Sequence, residues 1–257
     1  MTQPPLTIPS AVEIEAAEKR VLPNGMALYT LPANDFEVLR VTFVFRAGPS
    51  AQRVPFSAST TANLLAEGTR RFTARELAEQ LDYYGSWYDV NLDRDYAYIS
   101  FATLSKFYRE TLEAAAEILL HPVFPEEELR TYCAKRKQRL LIDRHKVDVR
   151  AREAFARALF GERHPYGISY DGALYDTLTR ADVETFYRTH YTAENCFVVC
   201  SGRITDDERQ AVAAIAEQIP HGAKARPEFP APQTTHEVKV AHAGAVQSSI
   251  RIGRLLF

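Results

Sequence analysis

Residues 38–47 set Val41, Phe43 and Phe45 on one side of an extended segment and Arg40, Thr42, Val44 and Arg46 on the other. A period of two marks a strand with one buried face. Residues 27–31 read as a shorter strand after the turn Pro23-Asn24-Gly25. The spacing turns helical over 56–67, with Ala58, Ala62, Leu65 and Ala66 on one stripe and Gly68 as the stop. Thr73 and Glu76 stand at the two positions of a capping box. Leu77, Ala78, Leu81 and Tyr84 follow as a buried side, and Gly85 ends that helix. Residues 87–92 and 96–103 read as a tyrosine-rich hairpin turning at Asp93-Arg94.

The second half is more helical. Residues 106–120 form one helix. Pro125 stands at the first position of the next, where Glu126, Glu127 and Glu128 suit the positive end. That helix runs past Arg139 and, with a break, reaches Phe160. His164-Pro165-Tyr166-Gly167 is a loop. Thr179 caps a helix carrying Val183, Phe186 and Tyr187. A strand over 196–202 and a helix over 206–219 follow. Pro227, Pro230 and Pro232 make 224–233 a linker. Val238 and Val240 open a further strand pattern, continued by 248–256. Hairpins mixed with helices predict an α+β fold with a largely antiparallel sheet. No glycine-rich phosphate loop or nucleophile elbow is present, so a doubly wound nucleotide fold is not supported.

Composition narrows the function classes. The chain has 257 residues, 46% hydrophobic and 25% charged, with a formal net charge of -2. That balance argues against nucleic acid as a partner. No segment has the apolar length of a membrane span or the pattern of a signal peptide, so the expectation is a cytoplasmic chain with no membrane partner. Three cysteines, Cys133, Cys196 and Cys200, fit a reducing compartment and read as small buried side chains. None of the seven histidines has a second four residues away. His190 and Glu194 have that spacing, but a helix end falls between them. His164 reads as a loop-fixing side chain. The basic run from Arg130 to Arg157 reads as a solvated helix face.

Several short motifs occur in a fixed order: Leu22-Pro23-Asn24-Gly25, Leu64-Leu65-Ala66-Glu67-Gly68-Thr69, Ala74-Arg75-Glu76-Leu77-Ala78, Phe124-Pro125-Glu126-Glu127-Glu128-Leu129, Leu159-Phe160-Gly161 and His164-Pro165-Tyr166-Gly167. In that order, and with Gly85, they resemble the pitrilysin/insulinase (M16) family of zinc peptidases. Active members carry H-x-x-E-H on the helix that spans 56–67 here. Two histidines one turn apart share a face and bind one zinc, and the glutamate serves as general base on the metal-bound water. A second glutamate further on completes the metal shell. Counting back from Gly68-Thr69 puts Ser59 and Asn63 at the histidine positions and Ala62 at the base. The distant glutamate falls at or near Arg139. Ser and Asn are poor zinc ligands, Ala takes no proton, and Arg adds a cation where the metal's charge would sit.

The resemblance therefore implies a non-catalytic member that binds no cofactor of its own. Zinc is expected on a partner subunit. The implied fold is the LuxS/processing-peptidase-like α/β sandwich, its sheet covered by helices on one side. The implied role is to pair with a zinc-bearing M16 subunit as a heterodimer, or to self-associate, and to help form a chamber that holds peptide substrates. In catalytic relatives a strand edge adds to the substrate backbone. The matching positions are Ser86, Trp87, Asp89 and Val90, although Trp87, Tyr88, Tyr96 and Tyr98 also suit core and sheet-face packing. Arg136 and Arg139 are the cations expected toward the chamber. The alternatives are a scaffold with no proteolytic role and an active zinc peptidase with a relocated site. The resemblance also divides the chain into an arm over 1–19, a domain over 20–223, a linker over 224–236 and the opening of a second domain over 237–257. On that reading the chain is a piece of a longer one, and 247–257 borrows its partners from the first domain or a neighbouring molecule.

Overall fold

The computed structural model describes residues 15–33, 35–226 and 228–256. Most of the expected arm, together with Asn34, Pro227 of the linker and Phe257, lies outside them. Six strands form one sheet: β1 (Glu18–Val21), β2 (Ala27–Pro32), β3 (Val38–Phe45), β4 (Trp87–Leu92), β5 (Ala97–Leu104) and β6 (Cys196–Gly202). Their order is β1-β2-β6-β3-β5-β4. Only β2–β6 is parallel; the other four pairings are antiparallel, as the hairpin pattern predicts.

The α-helices among the described residues are α1 (Ser57–Leu64), α2 (Ala74–Tyr83), α3 (Tyr108–Leu120), α4 (Glu126–Asp143), α5 (Val147–Phe160), α6 (Arg180–His190) and α7 (Asp206–Ala216). None is long and apolar enough to cross a membrane. Thr73, Thr179 and Thr205 each close a full capping box, with Glu76, Asp182 and Glu208. Each box satisfies amides that the first helical turn leaves without partners.

The register explains the core. Leu28, Val198, Phe43, Ile99 and Val90 form one row across β2, β6, β3, β5 and β4. Phe43 is fully buried at its centre and meets Phe101 edge-on, 6.5 Å between ring centres. Ala58, Ala62, Leu77, Leu112 and Val183 bring the helices onto this face. The alternate residues Tyr29, Val199, Thr42, Ser100 and Asp89 form a row on the opposite face, which the described helices leave open. The Thr42 and Ser100 hydroxyls share a 2.9 Å hydrogen bond there.

Four sequence expectations need correction. Strand β1 begins within the expected arm over 1–19: its four residues are all exposed, so hydrophobic alternation carries no signal of it. Pro125 is the N-cap of α4, not its first helical residue. Trp87 is 76% exposed rather than packed in the core. Residues 238–256 form no strand. The Thr235 amide instead donates to the Ala158 carbonyl at 2.7 Å, and Arg150 bonds the His242 ring at 2.6 Å, so this segment lies along α5. A strand exists only with a ladder partner, and this segment pairs with neither outer strand of the sheet.

Candidate functional site

Helix α1 holds Ser59, Ala62 and Asn63, the positions that the resemblance matches to the M16 zinc motif. Its entry is unusual. Phe56, at the N-cap, adopts left-handed backbone with φ of 66°, which costs a residue bearing a Cβ about 1–2 kcal/mol. Its ring stacks on Tyr175 at 3.9 Å and nearly parallel, and meets Tyr170 edge-on at 5.8 Å. That aromatic clamp fixes the helix start. Gln52 Oε1 accepts from the Ala58 amide at 3.2 Å and ties the preceding loop to the first turn.

The side chains at the motif positions are committed to their own helix. Ser59 Oγ donates to the Phe56 carbonyl at 3.2 Å, and Asn63 Nδ2 donates to the Ser59 carbonyl at 2.8 Å. Ala62 is 0% exposed and belongs to the core. A general base at that position would point into apolar packing rather than at water. From α4, the Tyr132 hydroxyl reaches the Ser59 carbonyl at 3.4 Å, and burial raises its pKa to about 12. Arg136, one turn on, sits over the Tyr132 ring at 6.0 Å. Arg139 is mostly exposed and pairs with Asp143 at 3.0 Å. Among the described residues no group of three His, Cys, Asp or Glu side chains converges to hold a metal. The donor set does not fit zinc: a hydroxyl and an amide already bonded to backbone, a methyl group and a guanidinium are not a zinc shell.

Sequence reasoning located Ser59, Ala62 and Asn63 but missed Phe56, Tyr132 and Tyr175. The left-handed turn at Phe56 has no sequence signature, because a glycine or asparagine would be expected there. Glu67 was named only within a motif. Burial raises its pKa first, Glu128 across the α1–α4 packing adds to this, and Lys135 partly opposes it.

The strand-edge positions divide in two. Ser86 is buried, and its hydroxyl bonds Thr103 at 3.0 Å and Thr111 at 2.6 Å, so it anchors the start of β4 rather than facing a partner. Val90 lies on the core face. Trp87 and Asp89 point to the open face, beside Ala102 and Ser100. Strand β4 pairs only with β5, leaving its other edge free among the described strands. Arg40, Thr42, Asp89, Asn91, Tyr98 and Phe197 line a shallow depression of about 390 Å³ on that face.

Other sequence candidates resolve as structure. The His164 ring accepts from the Tyr166 amide at 3.1 Å and fixes its loop. Glu194 bonds His221 at 2.7 Å and the Gly222 amide at 2.7 Å, not His190. Cys196 and Cys200 are buried, and burial pushes the Cys200 thiol up to about 12. Half of the basic run is paired: Lys137 with Asp176, Arg139 and Lys146 with Asp143, Arg144 with Asp171, Arg157 with Glu162.

Residues 177–255 match the family model described as "Peptidase M16 inactive domain". The curated protein "Probable mitochondrial-processing peptidase subunit beta, mitochondrial" of Arabidopsis thaliana is 22% identical over 204 residues, covering 76% of this chain and 38% of that protein. The solved peptidase M16 inactive domain from Pseudomonas fluorescens superposes with a TM-score of 0.79 at 20% identity. A protease from Helicobacter pylori gives 0.74 at 16% identity. Each superposition covers 84% of this chain and 54% of the other. The chain thus spans only about half the length of those structures, and less of the curated relative. The chain is similar to M16 inactive peptidase domains in sequence and fold, which bears out the resemblance drawn from its motifs.

Proposed function

We propose that this chain is a non-catalytic M16 peptidase-like subunit that pairs with a zinc-bearing M16 partner and helps form a peptide-binding chamber. The observation that carries this reading is α1, where a buried Ala62 and self-bonded Ser59 and Asn63 replace the zinc ligands and base. The open sheet face and the free edge of β4 support a peptide-holding role, since an unpaired strand edge offers backbone donors and acceptors to an extended chain. Trp87 and Asp89 project beside that edge, and the partner supplies zinc and the glutamate base. The test is to mix the chain with a zinc-bearing M16 subunit and follow cleavage of an unfolded peptide. Activity that rises only on mixing supports the proposal. Stoichiometric zinc on the isolated chain, or a partner equally active alone, overturns it.

A further inference from the structure

Both outer strands of the sheet have a free backbone edge among the described strands, and the two edges are built differently. Strand β1 carries Glu18, Lys19 and Arg20, all exposed. Charge of that density deters pairing with another chain. Strand β4, Trp87-Tyr88-Asp89-Val90-Asn91-Leu92, carries one charge, holds no proline and pairs with β5 without a bulge. Trp87 is exposed, as is Tyr83 at the end of α2 just before it. A weakly charged, unbroken edge is a template for another strand.

The phase of the hydrogen bonds defines what β4 offers. The Asp93 amide donates to the Tyr96 carbonyl at 3.0 Å, and on the far side of β5 the Ser105 amide donates to the Glu37 carbonyl at 2.9 Å. Bonding alternates along an antiparallel strand. Trp87, Asp89 and Asn91 therefore turn their amides and carbonyls to β5, and Tyr88, Val90 and Leu92 turn theirs outward. Those outward groups fit a second copy of the same strand. A two-fold axis through Val90 sets it opposite the second copy's Val90, and sets Tyr88 opposite the second copy's Leu92 on each side of the axis. Each such narrow pair exchanges two backbone bonds. On the open face the same register sets Asp89 opposite the second copy's Asn91, in both directions. A carboxylate and an amide are complementary there. Neither has a side-chain hydrogen bond or ion pair within its own chain among the described residues. The neighbouring register, centred on Asp89, forms fewer narrow pairs within the strand and sets carboxylate against carboxylate, which is unfavourable.

We infer that β4 is a self-recognition edge, through which two copies of this chain pair about Val90 into one continuous sheet. The inference rests on the free edge and not on the peptide-holding role; a second copy and an extended peptide exclude each other there. A six-residue edge makes a small interface, so monomer and dimer exchange with concentration. Sedimentation equilibrium from ~10 µM to ~1 mM should show the average mass climbing from 29.0 kDa toward twice that value. At the upper concentration, amide hydrogen exchange should slow at Tyr88, Val90 and Leu92 and stay unchanged at Trp87, Asp89 and Asn91. Asn91→Asp sets two carboxylate pairs face to face and should weaken association about tenfold, and adding Asp89→Asn should restore it. Both side chains are exposed, so these variants should melt like wild type. A 29.0 kDa species throughout, slowed exchange at other amides only, or association indifferent to Asn91→Asp overturns the inference. Peptide binding without self-association would sink this inference and leave the proposed function standing; self-association without peptide binding would do the reverse.

Discussion

Replacing Ala62 by glutamate, the residue that an M16 peptidase carries at this position, should destabilise the chain strongly and in a pH-dependent way. Ala62 is 0% exposed on the stripe of α1 that packs into the core. Two costs add. Forcing a longer side chain into a packed core costs about 1–3 kcal/mol. A carboxyl in apolar surroundings must also stay protonated, which at pH 7 costs about 1.4 kcal/mol for each of the roughly 2.7 units above its ordinary pKa of about 4.3, or about 3.7 kcal/mol. The sum, about 5–7 kcal/mol, rivals the whole stability of many domains. The folded-state pKa of such a group is raised above its unfolded value. Its ionisation penalty is therefore absent below about pH 4.3 and grows as pH rises toward the folded pKa. Urea unfolding at pH 5 and pH 7 reads both parts: the loss relative to wild type should be about 2.7 kcal/mol larger at pH 7. An Ala62→Glu chain with the wild-type midpoint at both values would refute the reasoning, because it would mean that the position opens to water as a general base requires.

Further outcomes follow from the same structure. Phe43→Ala, at the centre of the buried row, should cost about 3–5 kcal/mol in urea unfolding. Trp87→Ala should change stability by no more than about 0.5 kcal/mol, since the side chain is exposed, yet weaken binding of an extended peptide about tenfold in a fluorescence titration if β4 is the receiving edge. Ser86→Ala should show the opposite pattern, costing about 1 kcal/mol of stability through its buried hydroxyl partners and leaving peptide affinity unchanged. The Glu67 carboxyl should titrate above the exposed glutamates in a ¹³C NMR series, and Glu128→Gln should lower its midpoint. Because its folded pKa is raised, Glu67→Gln should gain on wild type as pH rises through that midpoint.

Elements with a strong period were legible in the chain. Strand β3 shows its two faces in the alternation of Val41, Phe43 and Phe45 with Arg40, Thr42 and Val44, and the register keeps that division. The Thr73 and Thr179 caps were readable because a cap is a local hydrogen bond between residues three apart. Strand β1 was not, because it is an edge strand with no buried face and its existence depends on β2. Nor was the exposure of Trp87, since a large aromatic in a strand reads as core until the position of β4 at the sheet edge is known.

The candidate site divides the same way. That Ser59, Ala62 and Asn63 cannot assemble a zinc shell is a matter of side-chain chemistry at three positions and needs no coordinates. What occupies that place instead, a left-handed Phe56 stacked on Tyr175 with Tyr132 reaching the Ser59 carbonyl, brings together residues separated by up to 119 positions. Nothing local encodes those contacts; they arise when α1, α4 and the turn over 172–177 pack together. The cavity that Arg53, His190 and Phe229 line is the stronger case, because these residues share no motif. Sequence alone thus decided periodicity, caps and missing chemistry, because each is set by neighbours along the chain. Tertiary structure decided edges, clamps and cavities, because each depends on which distant surfaces exclude water together.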